Sequence, residues 1–134
     1  DVGPPIAVTC DGTPWFFVDQ RPVSHADYAT IFRDHKKPAG AAAKAKPVTG
    51  VAFTFARAFA TSNAKRLLLA DEWEAARATR GVEPAGGNLW EWVDDKAPSA
   101  DQRTVMMQGA AGVKKAKRQS KAHPDVTFRM ARDL

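Results

Sequence analysis

The chain has 134 residues, 44% of them hydrophobic and 26% charged, and 20 lysines and arginines against 15 carboxylates give a formal net charge of +5. This length predicts one domain, residues 1–134, that buries about two-thirds of the surface of its unfolded chain. The composition is typical of a soluble domain, and without an apolar run of about 18 residues we expect no transmembrane helix and no membrane insertion.

Two features bear on the context of the domain. The chain begins at Asp1 without methionine, so we expect it to be excised from a longer protein whose flanking sequence sets the compartment. Its single cysteine, Cys10, excludes an internal disulfide.

The N-terminal part of the chain predicts two strands and a helix. Ile6–Thr9 is a β-prone run, and Trp15–Val18 predicts a buried strand. Ser24 is placed to begin a helix, because its hydroxyl can accept a backbone N–H of the first turn. Ile31 and Phe32 follow at helical spacing and extend the predicted apolar face of that helix.

The middle of the chain predicts a loop and two further helices. Residues 35–46 are rich in lysine, alanine, glycine and proline, which indicates a mobile surface loop. A helix is predicted over 54–63 with Phe55 and Phe59 on its buried side, and another over 70–79.

The C-terminal part predicts a basic loop at 112–124 and a last strand at Val126–Met130. We expect this last strand to pair near the N-terminal one.

Histidine is a common metal ligand, so the three histidines were considered as a metal site. His25 and His35 lie ten residues apart on a predicted surface helix, and His123 lies far along the chain. Since no H-x-x-x-H spacing occurs, we interpret them as scattered surface residues.

Three of the four tryptophans lie beside acidic residues in two neighbouring stretches, 66–77 and 86–95. A carboxylate is costly to bury unless it is paired or binds a metal. We therefore interpret the tryptophans as core residues and the neighbouring glutamates as structural hydrogen-bond acceptors near the indoles and Arg66. These residues are Trp73, Trp90 and Trp92, with Glu72, Glu74 and Glu91.

The same stretches carry a family resemblance. R-L-x-x-x-x-E-W-E-x-A at 66–76, followed by G-N-x-W-E-W at 87–92, resembles the signature of the formylglycine-generating enzyme family, the sulfatase-modifying-factor domain. Segments 17–32, 47–59 and 128–132 resemble further family segments in the same order. Val105–Gly109 resembles a family strand that ends in R-G-G-S, which implies a strand there. The resemblance implies an α+β, C-type-lectin-like fold with few short strands and about three helices.

The chain departs from the family at its functional positions. Relatives insert several dozen residues between the two motifs, including a calcium-binding loop, whereas only 78–86 intervene here. The copper-binding cysteines of the aerobic enzymes fall near Lys114 and Gln119. The resemblance therefore implies a shortened pseudoenzyme without a catalytic cofactor, a binding or scaffolding module of a larger bacterial protein. The alternative is an oxidoreductase domain, sulfatase-modifying or nonheme iron, whose metal ligands come from a missing domain.

Calcium is the one metal for which candidate ligands remain. Asn88, Glu91, Asp94 and Asp95 offer oxygen ligands within eight residues, which suits a hard cation. In the family the G-N-x-W-E-W turn contributes to calcium binding. We therefore take Asn88, Glu91 and Asp94 as candidate calcium ligands, with Asn88 as a plain turn residue as the alternative.

The basic loop is the candidate partner-binding surface. A dense group of cations can meet an acidic protein face or neutralise phosphates. No aromatic residue lies between Gly112 and Pro124, which argues against base stacking, so an acidic protein is predicted ahead of nucleic acid. A solvated loop without a partner is the alternative. The candidate residues are Lys114, Lys115, Lys117, Arg118 and Lys121.

Overall fold

The computed structural model describes residues 2–86, 88–96, 101–107 and 113–134, except for the side chains of Lys96, Val113 and Lys114. Those residues form eight strands and four helices. The strands are β1 (Pro5–Cys10), β2 (Thr13–Asp19), β3 (Arg66–Leu67), β4 (Trp90–Lys96), β5 (Gln102–Met107), β6 (Val113–Arg118), β7 (Val126–Thr127) and β8 (Met130–Asp133). The helices are α1 (His25–Tyr28), α2 (Ala41–Lys44), α3 (Phe53–Ser62) and α4 (Ala70–Arg77).

The first sheet has the strand order β1-β2-β8-β3 and joins the two ends of the described chain. Strands β1 and β2 form a hairpin whose two turn residues, Asp11 and Gly12, have φ values of 52° and 78°. Two positive φ values match the right-handed twist of the flanking strands. The predicted last strand Val126–Met130 is divided, since Val126–Thr127 forms β7 in the other sheet and β8 begins at Met130. Strand β8 pairs antiparallel with β2, so the predicted return of the chain to its N-terminal part is confirmed for β8 alone.

The second sheet has the strand order β6-β5-β4-β7. Strand β4 carries the W-E-W motif and lies between β5, which is antiparallel to it, and β7, which is parallel. The predicted α+β class is confirmed, although the strands are more numerous than expected. The predicted basic loop is wrong over 113–118, because this segment pairs along the whole of β5 as strand β6.

Two clusters of buried side chains form the core. The first surrounds α3 and includes Phe53, Phe59 and Trp92. The second packs under α4 and includes Phe16 and Trp73. The core assignment of Trp73 and Trp92 is confirmed, since they are 2% and 1% exposed.

Trp90 differs from these two tryptophans. It is only partly buried at the start of β4 and packs against the first cluster, so the core assignment holds for it only in part. The Lys115 ammonium lies 5.7 Å from the centre of its ring.

The helices depart from prediction where tertiary packing sets their ends. Helix α3 starts at Phe53, so its buried face runs through Phe53, Ala56 and Phe59, while the predicted core residue Phe55 is 53% exposed. Helix α1 ends at Tyr28, and Ile31 beyond it is 41% exposed. The predicted 35–46 loop contains the short helix α2.

Carboxylates satisfy the N-terminus of α4, where Leu69 cannot cap with its side chain. The Leu69 N–H donates to Glu72 Oε1 at 2.8 Å, and the Ala70 N–H donates to Asp95 Oδ1 at 2.9 Å. Negative charge at this end also interacts favourably with the helix dipole. Within the described segments, no helix has the length and hydropathy required to cross a membrane.

Candidate functional site

Glu91, a predicted calcium ligand, is engaged by an arginine in the core. Arg129 Nε donates to Glu91 Oε1 at 2.7 Å and Nη2 lies 3.3 Å from Oε2, with both side chains 2% exposed. The same guanidinium donates to the carbonyl oxygens of Glu83 at 2.6 Å and Gln20 at 3.3 Å. A buried charge pair is tolerated when such hydrogen bonds satisfy it. The pair therefore ties β4 to the segment that leads into β8.

The other predicted calcium ligands have separate partners. Asp94 Oδ1 accepts from Arg103 Nη1 at 3.0 Å, and Asp95 caps α4. Asn88 is exposed in the turn before β4. In the described ranges, no three His, Cys, Asp or Glu side chains come together as a metal site needs. A calcium site at Asn88, Glu91 and Asp94 therefore stays a prediction, and in the described structure each of its two carboxylates is paired with a different arginine.

The two glutamates of the E-W-E motif are structural acceptors, as predicted. Arg66 donates through Nη1 and Nη2 to both carboxylate oxygens of Glu72, at 2.7 and 2.8 Å. These hydrogen bonds raise the pKa of Arg66 above its ordinary value. Glu74 accepts from Arg77 Nε at 3.2 Å.

The positions near the family's copper-binding cysteines also lie in structural surroundings. Gln119 Oε1 accepts from Arg103 Nε at 3.2 Å, and the Gln119 carbonyl accepts from the Phe53 N–H at 3.0 Å. The side chain of Lys114 lies outside the described residues. Cys10 is exposed at the end of β1, in the other sheet.

Strand β6 and the turn after it divide the predicted partner-binding cations into two kinds. Lys117 is 14% exposed, and its Nζ lies 3.2 Å from Asp125 Oδ2, so it is a structural residue. Lys115, Arg118 and Lys121 are exposed. We call these three residues the basic edge, because β6 is the outer strand of its sheet.

The basic edge has a structural consequence of its own. An outer strand presents unpaired backbone groups that can pair with another chain, and lysines on such a strand oppose that pairing. Of its three cations, Arg118 has an acidic neighbour, Asp101, at 3.6 Å, and remains 69% exposed. Protection of the edge and binding of an acidic partner are therefore two roles that an experiment must separate.

The interpretation of the three histidines as scattered is wrong for two of them. His25 Nδ1 lies 2.9 Å from His35 Nε2, and the rings stack with their centroids 5.2 Å apart. Tyr28 packs its ring edge-on against His35 at 4.9 Å. A turn in which the His35 N–H donates to the Phe32 carbonyl brings the second imidazole back to the first, and the sequence has no signal for that reversal.

The histidine pair predicts a loss of stability in mild acid. Burial lowers the pKa of His25 and of His35 below the ordinary 6.5, and for His25 the charge of His35 lowers it further. Because the unfolded chain takes up protons first, the stabilisation is complete above about pH 7 and is lost as the pH falls through about 6.5. We expect the melting temperature to fall by a few degrees between about pH 7.5 and about pH 5.5.

His35→Gln tests this prediction, because it removes one imidazole of the pair and should reduce the fall in melting temperature. An equal fall in this variant and in the wild type would contradict a role of the pair.

Comparisons with known proteins bear on the fold. No protein-family model matches the chain, and a search of curated proteins finds no match. Among solved structures, the chain is similar to the crystal structure of CarF, with a TM-score of 0.65 and 14% sequence identity over 100% of this chain and 95% of that chain. A likeness at this identity shows a shared fold and carries no statement about activity.

Proposed function

We propose that the chain is a non-catalytic binding module, built on a shortened formylglycine-generating-enzyme-like scaffold of C-type-lectin-like type. In this proposal the basic edge contacts an acidic surface of another protein. The exposed cations of the edge are the observation that carries the proposal.

The contacts among the motif residues support the scaffold assignment. Glu91 of the W-E-W motif is held by Arg129 of the F-R-M-A-R segment, and Arg66 of the R-L motif is paired with Glu72 of the E-W-E motif. The terminal strands that carry the outer motifs are neighbours in one sheet. Residues chosen for a sequence resemblance thus form one connected set of ion pairs and strand contacts.

The surroundings of the carboxylates beside the tryptophans support a non-catalytic role. The carboxylates near the tryptophans are bonded to arginines or backbone N–H groups, which leaves them engaged in holding the fold. An acid–base or metal-bound carboxylate needs a free oxygen that faces substrate or ion.

The basic edge supports an acidic partner because its charge is exposed and concentrated. Lys115, Arg118 and Lys121 lie within seven positions on β6 and the following turn. At physiological ionic strength the Debye length is about 8 Å, so only charges in close contact with the partner contribute. The interaction should therefore be sensitive to salt.

Charge reversal tests the proposal. The variant Lys115→Glu/Arg118→Glu/Lys121→Glu should lose binding to a short polyglutamate peptide, measured by fluorescence anisotropy at low salt. The matched control Arg33→Glu/Lys36→Glu/Lys37→Glu changes the net charge equally at exposed positions elsewhere and should retain binding. Both variants should melt as the wild type does, since surface changes stay within about 0.5 kcal/mol.

The remaining outcomes separate the other roles. Equal loss of polyglutamate binding in both charge-reversal variants would contradict a specific role of the basic edge. Tighter binding to a short DNA duplex, with a log–log salt slope of about three, would favour nucleic acid as the partner. The charged glutamates of the first variant would still oppose pairing of the outer strand with another chain, whereas threonines would not. If only Lys115→Thr/Arg118→Thr/Lys121→Thr self-associates, the cations protect the edge. Stoichiometric copper or iron, with oxidation of a cysteine-containing peptide, would favour the enzyme alternative.

A further inference from the structure

A cavity of about 410 Å³ opens beside α1 and α2, and none of its lining residues belongs to the basic edge. Its apolar wall includes Pro38, Pro47, Pro124 and Leu89. Cavities of a few hundred cubic ångströms with mostly apolar walls are typical of sites for one small molecule. The size of this cavity therefore suits a small ligand and not a protein segment.

Polar groups from three positions complete the wall, namely His25, Lys46 and Thr49. The ammonium of Lys46 has no carboxylate partner among the described residues, so a positive charge stands at the cavity without neutralisation. His25 uses Nδ1 in its contact with His35, which leaves Nε2 as the ring nitrogen available to a ligand. The cavity thus has a mostly apolar wall with one cationic and two hydrogen-bonding side chains.

Backbone hydrogen bonds between distant segments hold the walls in place. The His25 N–H donates to the Lys46 carbonyl at 3.1 Å, and the Val48 N–H donates to the Val23 carbonyl at 2.7 Å. On the far side, the Gly50 N–H donates to the His123 carbonyl at 3.1 Å. A site whose walls are already positioned costs less ordering entropy when a ligand binds.

We propose that this cavity binds a small organic acid with an apolar body, whose carboxylate pairs with Lys46 and accepts a hydrogen bond from His25 or Thr49. Charge complementarity selects the carboxylate, because the only charged side chain lining the described cavity is a lysine beside a histidine. The proline and leucine side chains of the wall favour a ligand whose remaining part is aliphatic or aromatic. This inference stands independently of the basic edge.

The test uses 3-phenylpropionate as the probe and its neutral amide, 3-phenylpropionamide, as the comparison. Titration of the isotope-labelled domain should shift the backbone amide signals of Ala43, Thr49 and Leu89 in a saturable way. The neutral amide should bind about five- to tenfold more weakly, because it loses the charged contact with Lys46. Lys46→Gln should weaken binding of the acid by a similar factor, and the matched control Lys44→Gln should leave it unchanged.

A second pair of variants tests the cavity itself. Ala43→Phe places a large side chain at the cavity wall and should abolish binding, whereas Ala42→Phe, at an exposed position one residue away, should not. Dispersed amide spectra of both variants would show that they fold. If Ala43→Phe does not fold, the comparison of Lys46→Gln with Lys44→Gln tests the proposal.

Three results would overturn the proposal. The first is the absence of saturable shifts at millimolar 3-phenylpropionate. The others are equal affinity for the acid and the amide and equal weakening by Lys46→Gln and Lys44→Gln, either of which would contradict the contact between the carboxylate and Lys46. Loss of polyglutamate binding by the basic-edge variant would leave these results unchanged, so the two proposals fail separately.

Discussion

Replacing Arg129 by methionine should destabilise the domain by about 3–5 kcal/mol, because it leaves the Glu91 carboxylate buried without its partner. Both side chains of the pair are 2% exposed, so water cannot replace the guanidinium. The carbonyl oxygens of Glu83 and Gln20 would lose a donor as well. Urea unfolding followed by circular dichroism would measure the change in the free energy of unfolding.

The controls separate loss of the charge pair from loss of an arginine. Arg132→Met removes an exposed guanidinium that lies 5.1 Å from the centre of the Phe17 ring and should cost little. The double variant Arg129→Met/Glu91→Leu should recover part of the stability, since it removes the unpaired charge together with its partner. Similar unfolding of Arg129→Met and Arg132→Met would show that the pair contributes no more than a surface contact.

Trp92→Ala should lower the free energy of unfolding by about 3–5 kcal/mol, as large-to-small changes in a packed core do. Trp92 is 1% exposed and packs edge-on against Phe53 with ring centroids 5.7 Å apart. Its Nε1 donates to the Val51 carbonyl at 2.9 Å, so the substitution leaves both a cavity and an unpaired acceptor. Thermal unfolding followed by circular dichroism would measure the effect.

Alanine variants of two other tryptophans provide a scale for this loss of stability. Trp15 is 36% exposed, and Trp15→Ala should cost the least. Trp90 is partly buried, so Trp90→Ala should fall between the two. If Trp92→Ala and Trp15→Ala have the same melting temperature, the indole of Trp92 is not part of the rigid core.

Local patterns predicted most of the elements. Alternation and β-branched residues placed β1 and β2, and helical spacing placed α3 and α4 to within about two residues. The pairing of Arg66 with Glu72 followed from their closeness in sequence. These features depend on interactions within a few residues, which a sequence displays directly.

Apart from the return of the last strand to the N-terminal part, the sequence did not predict which elements meet. Glu91 was expected near Arg66, but it pairs with Arg129, 38 positions away, because β4 lies beside the segment that leads into β8. His25 and His35 were expected to be apart, and the chain reversal after α1 stacks them. Both contacts depend on the path of the chain between the residues, which periodicity does not encode.

The candidate surfaces show the same division. The sequence alone determined the positions of the basic segment's cations along the chain, and its resemblance to the formylglycine-generating enzyme family predicted an α+β fold. Only the tertiary structure decided that this segment is an outer strand and that Lys117 pairs with Asp125 while Lys115 and Lys121 stay exposed. The reason is physical: strand pairing and ion pairing between distant residues are stabilised by the packing of the whole chain, whereas propensity and spacing act over a single turn or strand.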